Sequence, residues 1–145
     1  MTEEMAAWED ALVADMREHD GRPTSGPLAG HPLMRMYSRG AKSGERRRAI
    51  LTYSREGDAY IVAGSAGGSP RDPAWVSNVK AHPGVWVEIG TRAFGARAEV
   101  VEGPEHERLW AQHVAELPWF ADYPEQSGRT IPVVRLTPEG GASRT

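Results

Sequence analysis

The chain has 145 residues and carries 17 Lys and Arg against 20 Asp and Glu, a formal net charge of -3 at neutral pH. That length is one ordinary domain able to bury about two thirds of its unfolded surface, and an acidic total argues against a general polyanion binder, whose whole field would be basic. The lack of cysteine removes disulfides, thiolate nucleophiles and Cys-containing metal sites together, so any redox chemistry needs an organic cofactor.

Met5, Trp8, Leu12 and Met16 recur at helical spacing and predict an amphipathic helix over residues 3–19. An acidic N-terminus with no long apolar run reads as neither signal peptide nor membrane span, which points to a cytoplasmic protein without stable membrane insertion. The Gly- and Pro-rich segment from Gly21 to Pro32 is expected to be irregular. Leu33–Ser38, Arg48–Thr52 and Ala59–Ala63 are predicted strands, the last two joined as a hairpin through Ser54–Asp58. Asp72-Pro73 is a helix start, with the Asp side chain as cap and proline at the first position, so a helix is expected from Pro73 to about Ala81. Val85–Ile89 and Phe94–Val100 alternate on either side of Gly90-Thr91-Arg92, a second hairpin with one buried face. A further helix from Pro104 aligns Leu109, Trp110, His113, Val114 and Leu117, and Thr130–Leu136 reads as a last strand. The expected class is α+β, with roughly six antiparallel strands curling into a small barrel beside an N-terminal helix and two further helices. In this reading residues 1–20 are the helix, 21–138 the barrel domain and 139–145 a frayed tail.

Arg39–Arg48, RGAKSGERRR, places five cationic side chains in ten residues of an acidic chain. A Walker A loop would need glycine where Ala41 and Met36 stand. Glycines can still aim backbone N–H groups at an anion beside Lys42 and an arginine. Strand alternation puts Arg46 and Arg48 on one face and Arg47 on the other. Two readings stay open, an anion site or a solvated rim that keeps a sheet edge from pairing. Nucleic acid is disfavoured, because no aromatic platform accompanies the charge. The loop Gly64–Pro70 follows a strand and precedes a helix without the G-x-G-x-x-G pattern; it either lets a flat ring or a phosphate approach the backbone or is a plain connection. The histidines at 19, 31, 82, 106 and 113 show no ligand spacing, so no metal is expected, and His113 falls on the apolar stripe of its helix as a core residue. No serine sits in a G-x-S-x-G setting. Trp75 and the segment Trp119–Tyr123 read as core, although Phe120 and Tyr123 lie where a loop follows a helix, a common source of ligand walls.

In order, the motifs are G-x-K-S-G-x-x-R (Gly40–Arg47), S-x-G-G-x-P-x-x-P-x-W-x-x-N-x-x-A-x-P (Ser65–Pro83), E-R-L-W (Glu107–Trp110), the Phe120–Tyr123 loop and R-x-I-P-V-V (Arg129–Val134). This series resembles the deazaflavin-dependent nitroreductase family of actinobacteria over about residues 20–138. The resemblance implies a split β-barrel and coenzyme F-420, a deazaflavin with an anionic phospholactate and polyglutamate tail. It implies an oxidoreductase that passes a hydride from the reduced coenzyme to an electron-poor small molecule such as an enone, a quinone or a nitro compound. Lys42, Ser43, Gly44 and Arg47 match the family's tail-binding residues, with Arg46 or Arg48 as added cations. Ser65, Ala66 and Gly67 match the loop beside the ring, and Trp75 and Asn78 the cofactor pocket. Trp75, Phe120 and Tyr123 match the substrate side, with Tyr123 and Ser65 as the catalytic candidates, Tyr123 to orient substrate or donate a proton. Some members carry Arg at Ala41, Lys at Ala66, Pro at Ile50, an aromatic at Val76 and Tyr at Phe120, so two charge contacts and one hydrogen bond are absent and a wider or more aliphatic substrate pocket is expected. The alternatives are an FMN- or haem-binding split barrel and a non-catalytic carrier of the coenzyme. A homodimer is expected by analogy.

Overall fold

In the computed structural model, residues 3–19, 22–24 and 30–139 are described, without the side chains of residues 3–8. The strands are β1 (Leu33–Arg39), β2 (Arg46–Thr52), β3 (Ser54–Glu56), β4 (Ala59–Ala63), β5 (Gly84–Ile89), β6 (Arg92–Val101) and β7 (Val133–Pro138). The helices are α1 (Glu3–Glu18), α2 (Ala74–Ala81), α3 (Gly103–Glu116) and α4 (Tyr123–Ser127), with 3-10 turns at Ala66–Gly68 and Pro118–Asp122. The α+β class is as expected, with a seven-stranded antiparallel sheet ordered β2-β1-β5-β6-β7-β4-β3. None of the helices among the described residues is long and apolar enough to cross a membrane.

The order puts β2 and β3 on opposite edges, yet only Tyr53 separates them in the chain. Thr52 and Ser54 therefore stand at most about 7 Å apart along an extended backbone, so the two edges meet at that corner and the sheet has to curl. This also corrects the expected hairpin. β2 pairs with β1, while the hairpin joins β3 to β4 with Glu56 opposite Ala59 and Gly57-Asp58 as its two-residue loop. The β5–β6 hairpin is as read, with Val85, Val87, Ile89, Phe94, Ala96 and Ala98 all buried.

The barrel interior packs Met34, Met36, Val62, Val87 and Leu136 against Trp75, Val76 and Val79 of α2. α3 covers part of the outer surface, where Leu109 meets Ile61, Val101 and Val133. Both faces of β4 are thus shielded, and its residues from Tyr60 to Ala63 are all buried. α1 buries Val13 and Met16 and leaves Leu12 half-buried; Met5 and Trp8 are outside the described side chains. The helix also turns an acid inward. Glu9 lies 2.9 Å from Arg48 Nε and 3.6 Å from Arg35 Nη1, and Arg35 donates from Nε and Nη2 to Glu88 Oε1. The segment expected to be irregular is described only at residues 22–24 and 30–32, which carry no regular element, and 140–145 of the expected tail are outside the described residues.

Candidate active site

Two cavities open on one side of the barrel and share the walls made by Trp75 and Ala49. The first, of about 560 Å³, is cationic. Gly40, Ala41, Lys42, Ser43, Arg47 and Arg48 line it, with Asn78 of α2 opposite. Its turn is built tightly. Gly40 N–H donates to Glu45 O (2.7 Å), Gly44 N–H to Gly40 O (2.9 Å) and Glu45 N–H to Ser43 Oγ (3.1 Å). A side chain at Gly40 would have its Cβ only 2.5 Å from Ser43 Oγ. Asn78, buried, accepts Ala41 N–H at 3.0 Å and so fixes the turn to α2. Among the described residues Arg47 has one ion-pair partner, the exposed Glu45 at 3.2 Å, and Lys42 has none.

The register confirms the alternation read from sequence. Arg47 faces with Ser38 and Ala49, while Arg46 and Arg48 face with Arg39 and Tyr37. Arg46 is accordingly away from the cationic cavity: its guanidinium lies 3.9 Å from the Tyr37 ring centroid, and it shares a separate depression with Gly44 and Trp86. Arg48 reaches the cavity rim while its Nε engages Glu9.

The second cavity, of about 360 Å³, is lined by Ser65, Ala66 and Gly67 on one side, by Trp119, Phe120 and Tyr123 on another, and by Leu33 and Ala49–Thr52 of the sheet. Trp75 and Phe120 are almost buried, and the rings of Phe120 and Tyr123 meet edge to face at 5.1 Å. The small-residue loop is bent, with Ala66 at φ 47°. A Cβ on Gly68 would stand 2.5 Å from Gln126 Oε1 and 3.3 Å from Tyr123 Cδ1, so the loop packs directly beneath the aromatic wall. Of the positions where relatives vary, Ile50 is at the cavity wall, but Val76 is buried in the barrel core and lines neither cavity.

Arg129 holds this loop, a role the sequence reading did not assign. Its Nε donates to Ser69 O, its Nη2 to Ser65 O and Arg71 O (each 3.1 Å), and its Nη1 to Asp72 Oδ1 at 2.6 Å. Asp72, expected to cap α2, is drawn instead to the guanidinium; the helix starts after extended Pro73 with no side-chain cap. The R-x-I-P-V-V motif marked the residue, but its partners lie about sixty positions away, beyond any local pattern.

Behind the aromatic wall, His113 is fully buried as expected. Its Nδ1 is 2.7 Å from Ser54 Oγ, its ring meets Phe120 edge to face at 4.6 Å, and Nε2 has no partner among the described residues. Burial pulls its pKa from 6.5 to about 4, so the imidazole is neutral.

Residues 8–138 match the F420H2-dependent quinone reductase family. The chain belongs to this family. A curated member, the F420H2-dependent quinone reductase Rv1261c of Mycobacterium tuberculosis, is 40% identical over 134 residues, covering 84% of this chain and 89% of the relative. Among solved structures, the F420-H2 dependent reductase FDR-A is 36% identical with a TM-score of 0.66, over 72% of this chain and 93% of that one. A structure described as a domain-swapped dimer is 29% identical with a TM-score of 0.68, over 92% and 97%. Membership in the F420H2-dependent quinone reductase family makes this chain an oxidoreductase with coenzyme F-420 as its cofactor, in place of the FMN, haem and carrier alternatives. The cavities fit such a molecule. Cationic side chains and a tight glycine turn suit an acidic tail, and a small-residue loop facing aromatics suits a flat ring.

Proposed function

We propose that this protein reduces a quinone at the expense of reduced coenzyme F-420, with the tail in the cationic cavity and the ring between the Ser65–Gly67 loop and the aromatic wall. The observation that carries this reading is that Trp75 and Ala49 line both the charged chamber and the flat apolar one, so that the two lie side by side within reach of one long ligand. Lys42 and Arg47 bind the tail anions, Ser43 and Gly44 shape the turn, and Asn78 keeps that turn in place through Ala41 N–H. Arg46 assists only at the outer rim, from its place over Tyr37.

The bound coenzyme supplies two electrons and one proton as a hydride; a quinone that accepts it needs one further proton to become a hydroquinone. The protein's share is orientation and exclusion of water. Ser65 and the loop held by Arg129 support the ring, Trp75 and Phe120 exclude water, and the Tyr123 hydroxyl orients the acceptor or passes the proton. Enones and nitro compounds are electron-poor in the same way and would be secondary acceptors. The working unit comprises residues 21–138 with α1 docked outside, and pairing into a homodimer is supported by the likeness to a domain-swapped dimer.

Titration of deazaflavin fluorescence tests the tail assignment. The Arg47–Glu45 pair is more than half exposed on both sides, so releasing it costs little. A charge-assisted bond to the tail is worth about 1.5–3 kcal/mol, so Arg47→Ala should weaken coenzyme binding about ten- to a hundredfold at unchanged melting temperature. Equal affinities for Arg47→Ala and wild type would remove the role, and wild type that binds no coenzyme would end the whole reading.

A further inference from the structure

The aromatics of the ring cavity are not equivalent. Trp75 and Phe120 are 7% and 5% exposed, their faces already used by the core, whereas Trp119 lines the same cavity and remains 37% exposed. Its indole meets the His31 ring at 4.5 Å with a 49° tilt and the Phe120 ring at 5.6 Å. His31 stands just before β1, two residues ahead of Leu33, which also lines the cavity. Two segments remote in sequence thus clasp at the rim, and the imidazole limits how the indole can turn. Trp119 lines only the ring cavity, while Trp75 and Ala49 line both cavities and so mark the side where the two adjoin. A coenzyme spanning the two cavities would lie on the Trp75 side, which leaves the exposed Trp119 face for a second guest.

We infer that Trp119, braced by His31, is the residue on which the acceptor stacks, and that it biases the enzyme toward flat fused-ring quinones over single-ring ones. This rests on the quinone reductase reading above. The chemistry is direct: a quinone ring is planar and electron-poor, and indole presents the largest electron-rich face of any side chain, so offset stacking favours the guest with more overlap. The brace lowers the ordering cost of that face, because the indole is held before the acceptor arrives. Trp119 is a substrate-binding residue in this account and His31 a positioning residue.

The test compares menadione, a fused-ring quinone, with duroquinone, a single ring, at saturating reduced coenzyme F-420. Trp119→Ala should raise KM for menadione about tenfold and for duroquinone about twofold, with kcat for both within about twofold of wild type. A readout without turnover accompanies it: the Kd of menadione for protein saturated with oxidised coenzyme should rise by the same factor, while the coenzyme's own Kd, read by fluorescence, stays put. Trp119→Phe, which keeps a ring, should recover most of the preference. His31→Ala should raise the menadione KM about threefold, His31→Phe should restore it, and His31→Ala should add nothing in the Trp119→Ala background. Equal shifts for the two quinones, a weaker coenzyme Kd, or a collapse of kcat would overturn the inference, and a Trp119→Phe enzyme with no menadione preference would do so even where the alanine variant folds poorly. Failure of the underlying reading looks different, since wild type itself would then bind no coenzyme or oxidise it with neither quinone.

Discussion

The cationic cavity and the aromatic cavity share Trp75 and Ala49 but are assembled in opposite ways. The first draws nearly all its chemistry from one stretch of chain, Gly40–Arg48, whose turn is closed on itself by local hydrogen bonds and tied to α2 by the bond from Ala41 N–H to Asn78. The second gathers Leu33, Ala49–Thr52, Ser65–Gly67 and Trp119–Tyr123, and depends on remote supports, Arg129 beneath the loop and His113 behind Phe120. A local turn can be retuned with little effect on the fold, whereas a chamber made of distant segments shares its stability with the whole domain.

The largest test of that contrast is Arg129→Met. It removes charge-assisted bonds to the carbonyls of Ser65, Ser69 and Arg71 and to Asp72, and should lower unfolding free energy by about 2–4 kcal/mol while loosening ring binding. Denaturant unfolding checks the first effect; a loss under 0.5 kcal/mol, on the order expected of a plain surface site, would mean the loop holds itself.

Acid should probe the same chamber. His113 is neutral in the folded protein with its pKa near 4, while the unfolded chain titrates near 6.5. Between those values the unfolded state binds the extra proton, so stability falls as pH drops from about 6.5 to about 4, by about 3 kcal/mol in all. The slope should vanish in His113→Gln, measured by denaturant midpoint against pH; a persisting slope would assign the acid sensitivity to the carboxylates. Asn78→Ala should cost about 1–2 kcal/mol of stability and weaken coenzyme binding through the freed turn. Recovery by Asn78→Asp, which keeps the acceptor, would separate positioning from direct contact. Smallest of all is Arg46→Ala, which gives up a cation–π contact worth about 0.5–1 kcal/mol and should leave coenzyme affinity within about twofold of wild type. A tenfold loss there would carry the tail around the β2 edge and undo the division between Arg46 and Arg47.

Sequence alone determined what local rules govern. The period-two runs of β5 and β6, the buried His113 stripe and the facing of Arg47 away from Arg46 and Arg48 follow from side-chain periodicity, the start of α2 near Pro73 follows from a local proline signal, and the ordered motifs carry the resemblance to a deazaflavin enzyme family. Tertiary structure decided what those rules do not reach. β2 turned from its expected hairpin to pair with β1, because the barrel closes at Tyr53 and β3 takes the tight loop at Gly57-Asp58. Asp72 left its helix for Arg129, and the Arg46 guanidinium lies over the Tyr37 ring, outside the cavity lined by Lys42 and Arg47. Trp119, read as core, surfaced at the cavity rim against His31. Each of these depends on a partner far away in sequence, and such a partner leaves no period or spacing near the residue it captures.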